Sequence, residues 1–149
     1  MRRFAAGFTL IELVVALVIG SILTSIALAS FGNSRGRFAV RGARSTFVSL
    51  HARARAQAIE LGENVRMLVD VSGDSLVMLD AGGTELEKVL FQDEFVVDLR
   101  ATSSFRVCMS PRGYADEDCN SYSSPVTLTF WSGSDSASVK ILPLGQLVY

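Results

Sequence analysis

One long apolar stretch constrains this chain more than any other feature. Residues 7–31 read GFTLIELVVALVIGSILTSIALASF, and the 24 residues after Gly7 contain a single charge, Glu12. As a helix they would reach about 36 Å, enough to cross a hydrocarbon core of about 30 Å. The stretch lacks the short apolar core and small-residue cleavage site of a removed secretory signal. We therefore expect a membrane helix that stays in the mature protein.

The lone carboxylate of Glu12 needs a partner or a function, because a charge inside a bilayer costs about 2.5 to 3.5 kcal/mol on insertion scales. Glu12 lies four residues after Phe8, one helical turn along the same face. A cut between Gly7 and Phe8 would place a new α-amine beside it, and the amine of a neighbouring subunit is an alternative partner. The simplest alternative is an ordinary signal anchor that tolerates one polar residue.

A short basic leader precedes the apolar stretch: Arg2 and Arg3 stand before Gly7, Phe8 and the run T-L-I-E-L of residues 9–13. This arrangement resembles the processing site of type IV prepilins and of the pseudopilins of type II secretion. The resemblance implies cleavage after Gly7 by prepilin peptidase, N-methylation of Phe8, and packing of the apolar helices into a filament core. It also implies that Glu12 reads the terminal amine of an adjacent subunit. The family's outermost tip subunit usually lacks this glutamate, so we expect a position below the tip.

Charge is distributed unevenly along the 149 residues. Residues 31–66 hold seven arginines against two glutamates, whereas residues 67–149 hold five basic and twelve acidic side chains. The positive-inside rule would put the arginine-rich side in the cytoplasm, which conflicts with a leader that stays inside. We give the motif precedence, because long translocated domains escape that rule. The prediction is a single-pass inner-membrane protein with a cytoplasmic leader and a periplasmic head.

A second helical pattern follows the apolar stretch. Residues 32–36 contain two glycines that weaken a helix and suggest a hinge. After them, apolar residues recur at steps of three and four and form one stripe: Val40, Ala43, Phe47, Leu50, Ala54, Ala58 and Leu61. One border of the stripe is basic and consists of Arg37, Arg41, Arg44 and Arg55. Gly62 predicts the helix end, because glycine accepts left-handed geometry.

The rest of the chain predicts a head of short strands separated by turn signals. The strand candidates are residues 65–71, 76–79, 89–91, 95–99, 105–109, 126–131, 139–142 and 146–148. Residues 72–74 predict a hairpin between the first two. We therefore predict an α+β architecture, a long N-terminal helix packed on an antiparallel β-sheet head, which the prepilin resemblance identifies as the type IV pilin fold. Its segments are a leader (1–7), a transmembrane or filament-core helix (8–31), an amphipathic stem (32–62) and a periplasmic head (63–149).

A second resemblance covers the stem and the head. Residues 50–59, L-H-A-R-A-R-A-Q-A-I, followed by Val65 and Arg66, are similar to the signature of the GspH/FimT family. The run V-K-I-L-P-L-G of residues 139–145 resembles the closing hairpin of that family. Some FimT-like members carry arginines after the equivalent glycine and bind DNA. Here Gly145 is followed by Q-L-V-Y, which disfavours DNA binding.

Two cysteines, Cys108 and Cys119, predict a disulfide that closes a surface loop in an oxidising periplasm. Loop-closure reasoning gives it about 3 kcal/mol of stabilisation. A zinc site or a redox pair fits less well, because no histidine is near and no C-x-x-C occurs. Inside the loop, Asp116 and Asp118 are weak calcium candidates, since some pseudopilin heads use calcium, but no EF-hand spacing is present. We predict no metal and no other cofactor.

No catalytic pattern stands out. The chain has no Walker A, Rossmann or H-E-x-x-H sequence, and its only histidine, His51, is predicted to pack within the stem. The two resemblances imply a non-enzymatic subunit, a minor pilin or pseudopilin in the tip or initiation complex of a type IV pilus or a type II secretion pseudopilus. Its partners would be major and minor pilins, prepilin peptidase and the inner membrane. The alternatives are a minor pilin whose basic stem binds DNA during uptake, and a lone membrane-anchored periplasmic protein.

Overall fold

The computed structural model describes residues 9–149, and over residues 27–34 it describes the backbone alone. A long helix, α1, covers Leu10–Leu61, and a short helix, α2, covers Phe91–Phe95. The strands of the described chain are β1 (Val65–Asp70), β2 (Ser75–Leu79), β3 (Glu85–Leu90), β4 (Asp98–Arg100), β5 (Phe105–Met109), β6 (Val126–Ser132), β7 (Asp135–Ile141) and β8 (Leu147–Val148). The chain divides into two units, residues 1–35 and residues 36–149.

The strands form two antiparallel sheets, in the orders β3-β2-β1-β5 and β4-β6-β7-β8. The α+β class is confirmed, and the head holds two sheets where the sequence suggested one. Helix α2 lies between β3, the edge of the first sheet, and β4, the edge of the second. This short helix carries the chain from one sheet to the other.

Residues 36–61 of the stem supply one wall of the core. The residues predicted for its apolar stripe are buried, namely Val40, Ala43, Phe47, Leu50, Ala54 and Ala58. The Phe130 ring on β6 lies 5.9 Å from the Phe47 ring and 5.6 Å from the Phe91 ring, so stem, second sheet and α2 meet at one aromatic cluster. Leu61, predicted to complete the stripe, is 52% exposed. The helix ends there, and Gly62 takes the expected positive φ of 68°.

The predicted hairpin after β1 is confirmed, whereas the strand bounds predicted within residues 89–99 are partly wrong. The hairpin between β1 and β2 is confirmed, with Asp70 opposite Ser75. By contrast, Phe91 starts α2 instead of ending a strand, and Phe95 ends α2 instead of starting one. The Phe95 ring packs over Gly42 of the stem, where an added Cβ would lie 3.3 Å from a ring carbon. Short apolar runs do not distinguish strand from helix, and here packing against the stem favours the helix. The backbone of residues 32–36 is helical, so the two glycines do not unwind it, and the hinge stays a prediction.

Candidate functional site

The first turn of α1 carries Glu12, the predicted assembly residue. Thr9 precedes the helix, and its backbone N–H and hydroxyl both donate to Oε2 of Glu12 at 3.3 Å. In return the Glu12 N–H donates to the Thr9 hydroxyl oxygen at 3.3 Å. This reciprocal pair is a capping box, which satisfies backbone donors that a helix start otherwise leaves free. The T-x-x-E spacing is a sequence signal for it, and Thr9 is the site residue that the motif reading missed.

The capping box fixes where the Glu12 charge lies. The carboxylate sits in the first helical turn, where the positive end of the helix dipole stabilises a negative charge. Both bonds from Thr9 go to Oε2, and within residues 9–149 the other oxygen, Oε1, makes no hydrogen bond. The arrangement therefore offers one exposed acceptor oxygen to an incoming cation while the other oxygen stays attached to its own helix.

The apolar residues after Glu12 are exposed. The large side chains between Leu10 and Ile26 are 44–82% exposed. Contiguous apolar surface of this extent marks a site of contact with protein or lipid. In the part of the chain that the structure describes, no helix combines the length and the apolarity needed to cross a membrane. The assignment of residues 8–31 to a membrane stays a prediction.

The predicted processing residues, Gly7 and Phe8, lie outside the described residues. Cleavage after Gly7 and methylation of Phe8 therefore stay predictions from the sequence.

In the head, the predicted disulfide between Cys108 and Cys119 is confirmed. The loop it closes is fixed by hydrogen bonds at both ends. The Asp116 N–H donates to the Cys108 carbonyl at 2.8 Å, and the Cys108 N–H donates to the Asn120 side chain at 2.9 Å. Asn64, three residues past the end of α1, donates its side-chain amide to Oδ2 of Asp116 at 3.0 Å. The loop is thus attached to the C-terminal end of the stem.

The calcium candidates lie in this loop. Asp116 uses both carboxylate oxygens on protein donors, Oδ2 on Asn64 and Oδ1 on the Asp118 N–H at 3.1 Å. Across the described residues no group of three or more His, Cys, Asp or Glu side chains is arranged to hold a metal ion. Glu117 and Asp118 are exposed, so the loop presents negative charge to solvent.

His51 is buried in the stem, as predicted, with 4% of its surface exposed. Its ring lies 6.5 Å from that of Phe47. Burial lowers the pKa of His51 to about 4, helped by the positive charge of Arg55 and opposed by the nearby polar backbone of Gly145. A buried, neutral ring of this kind packs the stem against the C-terminal turn.

Two of the arginines predicted along one border of the stripe contact the head. Arg37 forms an ion pair with Asp135 at 3.4 Å. The Arg44 guanidinium lies over the ring of Tyr149, 5.5 Å from its centroid.

Fold and N-terminal segment together define a class: an α+β protein, consistent with the type IV pilin fold, in which an N-terminal helix packs on antiparallel sheets. Residues 2–28 match the family described as the prokaryotic N-terminal methylation motif. The match supports a type IV pilin-like protein, a pilin or pseudopilin that is a substrate of prepilin peptidase, from a family that is structural rather than enzymatic. No curated protein and no solved structure matches the chain.

Proposed function

We propose that this chain is a minor pilin or minor pseudopilin of the GspH/FimT type, a structural subunit in the tip or initiation complex of a type II secretion pseudopilus or a type IV pilus. One observation carries the proposal. The methylation motif of residues 2–28 includes the start of α1, and the large apolar side chains of that part of the helix, residues 10–26, are exposed. Exposed apolar surface on a helix of a structural family is suited to packing against other such helices.

The proposed assembly step uses the first turn of α1. Prepilin peptidase cuts after Gly7, and Phe8 becomes the methylated N-terminus. The Glu12 carboxylate accepts the terminal ammonium of a neighbouring subunit and so sets the axial register of the two helices. Thr9 supports this by holding one carboxylate oxygen at the helix start. Before assembly the chain would lie in the inner membrane with the leader cytoplasmic and the head periplasmic.

Mass spectrometry of the protein from its native membrane tests the processing step. We expect a chain that begins at Phe8 and carries one added methyl group, together with a fragment spectrum that places the methyl on the terminal nitrogen. A chain that still begins at Met1 in cells with active prepilin peptidase contradicts the proposal.

Substitution of Glu12 tests the assembly step separately. Glu12→Gln keeps the size and the hydrogen bonds from Thr9 but removes the charge, so we expect normal cleavage and little or no recovery in sheared filaments. Glu12→Asp keeps the charge on a shorter side chain and is expected to retain partial incorporation. Equal incorporation of Glu12→Gln and the wild-type chain would show that this carboxylate does not bind the terminal ammonium.

A further inference from the structure

Three arginines of the stem line one cleft at the edge of the second sheet. The cleft has a volume of about 440 Å³, and its walls are Arg37, Arg41 and Arg44 on α1 and residues 135–138 on β7. The arginines follow one another at steps of four and three, which puts them on one helix face. We call this feature the arginine cleft.

Positive charge is in excess in the arginine cleft. Its one carboxylate, Asp135, pairs with Arg37 at 3.4 Å. Within residues 9–149, Arg41 and Arg44 have no carboxylate within 4 Å. The remaining polar groups of the cleft include the hydroxyls of Ser136 and Ser138, which carry no charge. Two guanidinium groups are therefore free to take an anion.

The chain itself carries a complementary surface at the other end of the head. In the disulfide loop, Glu117 and Asp118 are exposed and form no ion pair within the described chain. The loop is fixed by the disulfide and by the bond from Asn64 to Asp116, so little conformational freedom is lost when its carboxylates are bound.

The two surfaces lie too far apart to meet within one chain. The arginine cleft is at the start of the stem, whereas Asn64 attaches the loop just past its end. From Arg41 to Leu61 the helix rises about 30 Å at 1.5 Å per residue. Two different patches at opposite ends of a molecule make a heterologous, head-to-tail contact between copies.

We propose that the arginine cleft of one chain binds Glu117 and Asp118 in the disulfide loop of a second copy. The cleft supplies Arg41 and Arg44, and the loop supplies two fixed carboxylates, so the contact forms charge-assisted hydrogen bonds between neighbouring heads. The inference rests on the proposed function, because it assigns a lateral head contact to a filament subunit.

Charge reversal tests the contact with the full chain in detergent micelles. In one variant Arg41→Glu and Arg44→Glu make the cleft acidic, and in the other Glu117→Arg and Asp118→Arg make the loop basic. Each variant alone sets like charges against each other, so we expect at least a tenfold loss of self-association in sedimentation equilibrium. An equal mixture of the two restores opposite charges at every contact and is expected to recover association. Recovery in the mixture also shows that both variants are folded.

Cross-linking then locates the contact. Arg41→Lys provides an amine that a carbodiimide joins to a carboxylate, and a mixture of unlabelled and ¹⁵N-labelled chains separates bonds between copies from bonds within one. We expect mixed-isotope peptides that join position 41 to Glu117 or Asp118. Arg53→Lys is the matched control: Arg53 pairs with Glu87 of its own chain at 2.9 Å, so its cross-link should carry one isotope.

Three results would overturn the proposal: both charge-reversed variants associating like the wild type, a mixture no better than its components, or position 41 joined only to carboxylates of its own chain. Duplex DNA that binds the wild type and is lost with the acidic cleft, while self-association is unchanged, would instead make phosphate the ligand. A chain that is correctly processed at Gly7 yet fails these tests disproves the head contact and leaves the proposed function standing.

Discussion

Gly145 lies so close to Ala115 that it has no room for a side chain. An added Cβ would stand 2.9 Å from the Ala115 Cβ and 3.3 Å from its nitrogen. The backbone of Gly145 has φ of 81°, and the Ala115 N–H donates to the carbonyl of Leu144 at 3.0 Å. The turn before β8 is thereby joined to the disulfide loop.

Gly145→Ala should therefore be costly. A left-handed backbone costs a non-glycine residue about 1–2 kcal/mol, and overpacking adds about 1–3 kcal/mol. We expect a total loss of about 3 kcal/mol in the free energy of unfolding, measured by denaturant titration of the full chain in detergent with the fluorescence of Trp131, the only tryptophan. Gly133→Ala is the control, since Gly133 has φ of 59° and nothing within 4 Å of an added Cβ. Equal losses at both positions would mean that the contact with Ala115 contributes nothing.

The helical half of this chain was more predictable than the head. The stripe from Val40 to Ala58, the end at Gly62 and the hairpin after Asp70 all depend on local spacing, which a sequence displays directly. Helix α2 and the division into two sheets do not. Phe91 and Phe95 sit in α2 because they pack toward Phe130 and Gly42, partners far away in the sequence.

The candidate site shows the same limit. The T-x-x-E spacing of Thr9 and Glu12 is local, and the capping box follows from it. The arginine row along the stem was also visible as a helical pattern. Its pairing with Asp135, almost a hundred residues later, depends on how β7 packs beside the stem. Only the fold shows which of these arginines form an ion pair and which do not.

Val96 adopts a left-handed backbone, with φ of 56°, at the end of α2. Its N–H donates to the Gln92 carbonyl at 3.1 Å, so the conformation closes the helix, but a β-branched residue is poorly suited to it. Val96 is 67% exposed, so removal of its side chain sacrifices little buried apolar surface. We expect Val96→Gly to raise the free energy of unfolding by about 1 kcal/mol.

The control for Val96→Gly is another residue with positive φ. Asp74 has φ of 45°, yet its carboxylate accepts a hydrogen bond from the Leu99 N–H. Asp74→Gly removes that bond and should lower stability by about 1 kcal/mol or more. The same unfolding titration measures both. Destabilisation by Val96→Gly would contradict the claim that its backbone is strained.

The disulfide gives a third prediction. Because Cys108 and Cys119 are 11 residues apart, the bond restricts the unfolded chain, and its loss should cost about 2–3 kcal/mol. We expect the Cys108→Ser, Cys119→Ser double variant to unfold at lower denaturant concentration than the oxidised wild type. The wild type treated with a reductant should match the double variant. Identical midpoints for the oxidised and reduced wild type would show that the loop is fixed by its hydrogen bonds alone.

The buried histidine makes stability depend on pH. In the unfolded chain His51 takes up a proton near its ordinary pKa of 6.5, whereas in the folded chain the pKa is about 4. The unfolded state therefore binds the proton first, and the stability contributed by the neutral ring is complete above pH 6.5 and falls as the pH drops toward 4. At about 1.4 kcal/mol per pKa unit, the loss between pH 7.5 and pH 4.5 should be about 2–3 kcal/mol.

Unfolding titrations at pH 7.5, 6.0, 5.0 and 4.5 measure this dependence. His51→Gln is the matched variant, because its side chain is polar and of similar length but does not titrate. We expect this variant to be less stable than the wild type at pH 7.5 and to have a nearly flat profile down to pH 4.5, where the two curves approach each other. Asp70 and Asp80 also have lowered pKa values, but they affect stability at lower pH than His51 does. The stability that a carboxylate with a lowered pKa contributes is lost only as the pH falls below the ordinary pKa of 3.8. Parallel profiles for the two proteins would mean that His51 is protonated as easily in the fold as outside it, and that the burial of its ring carries no penalty for charge.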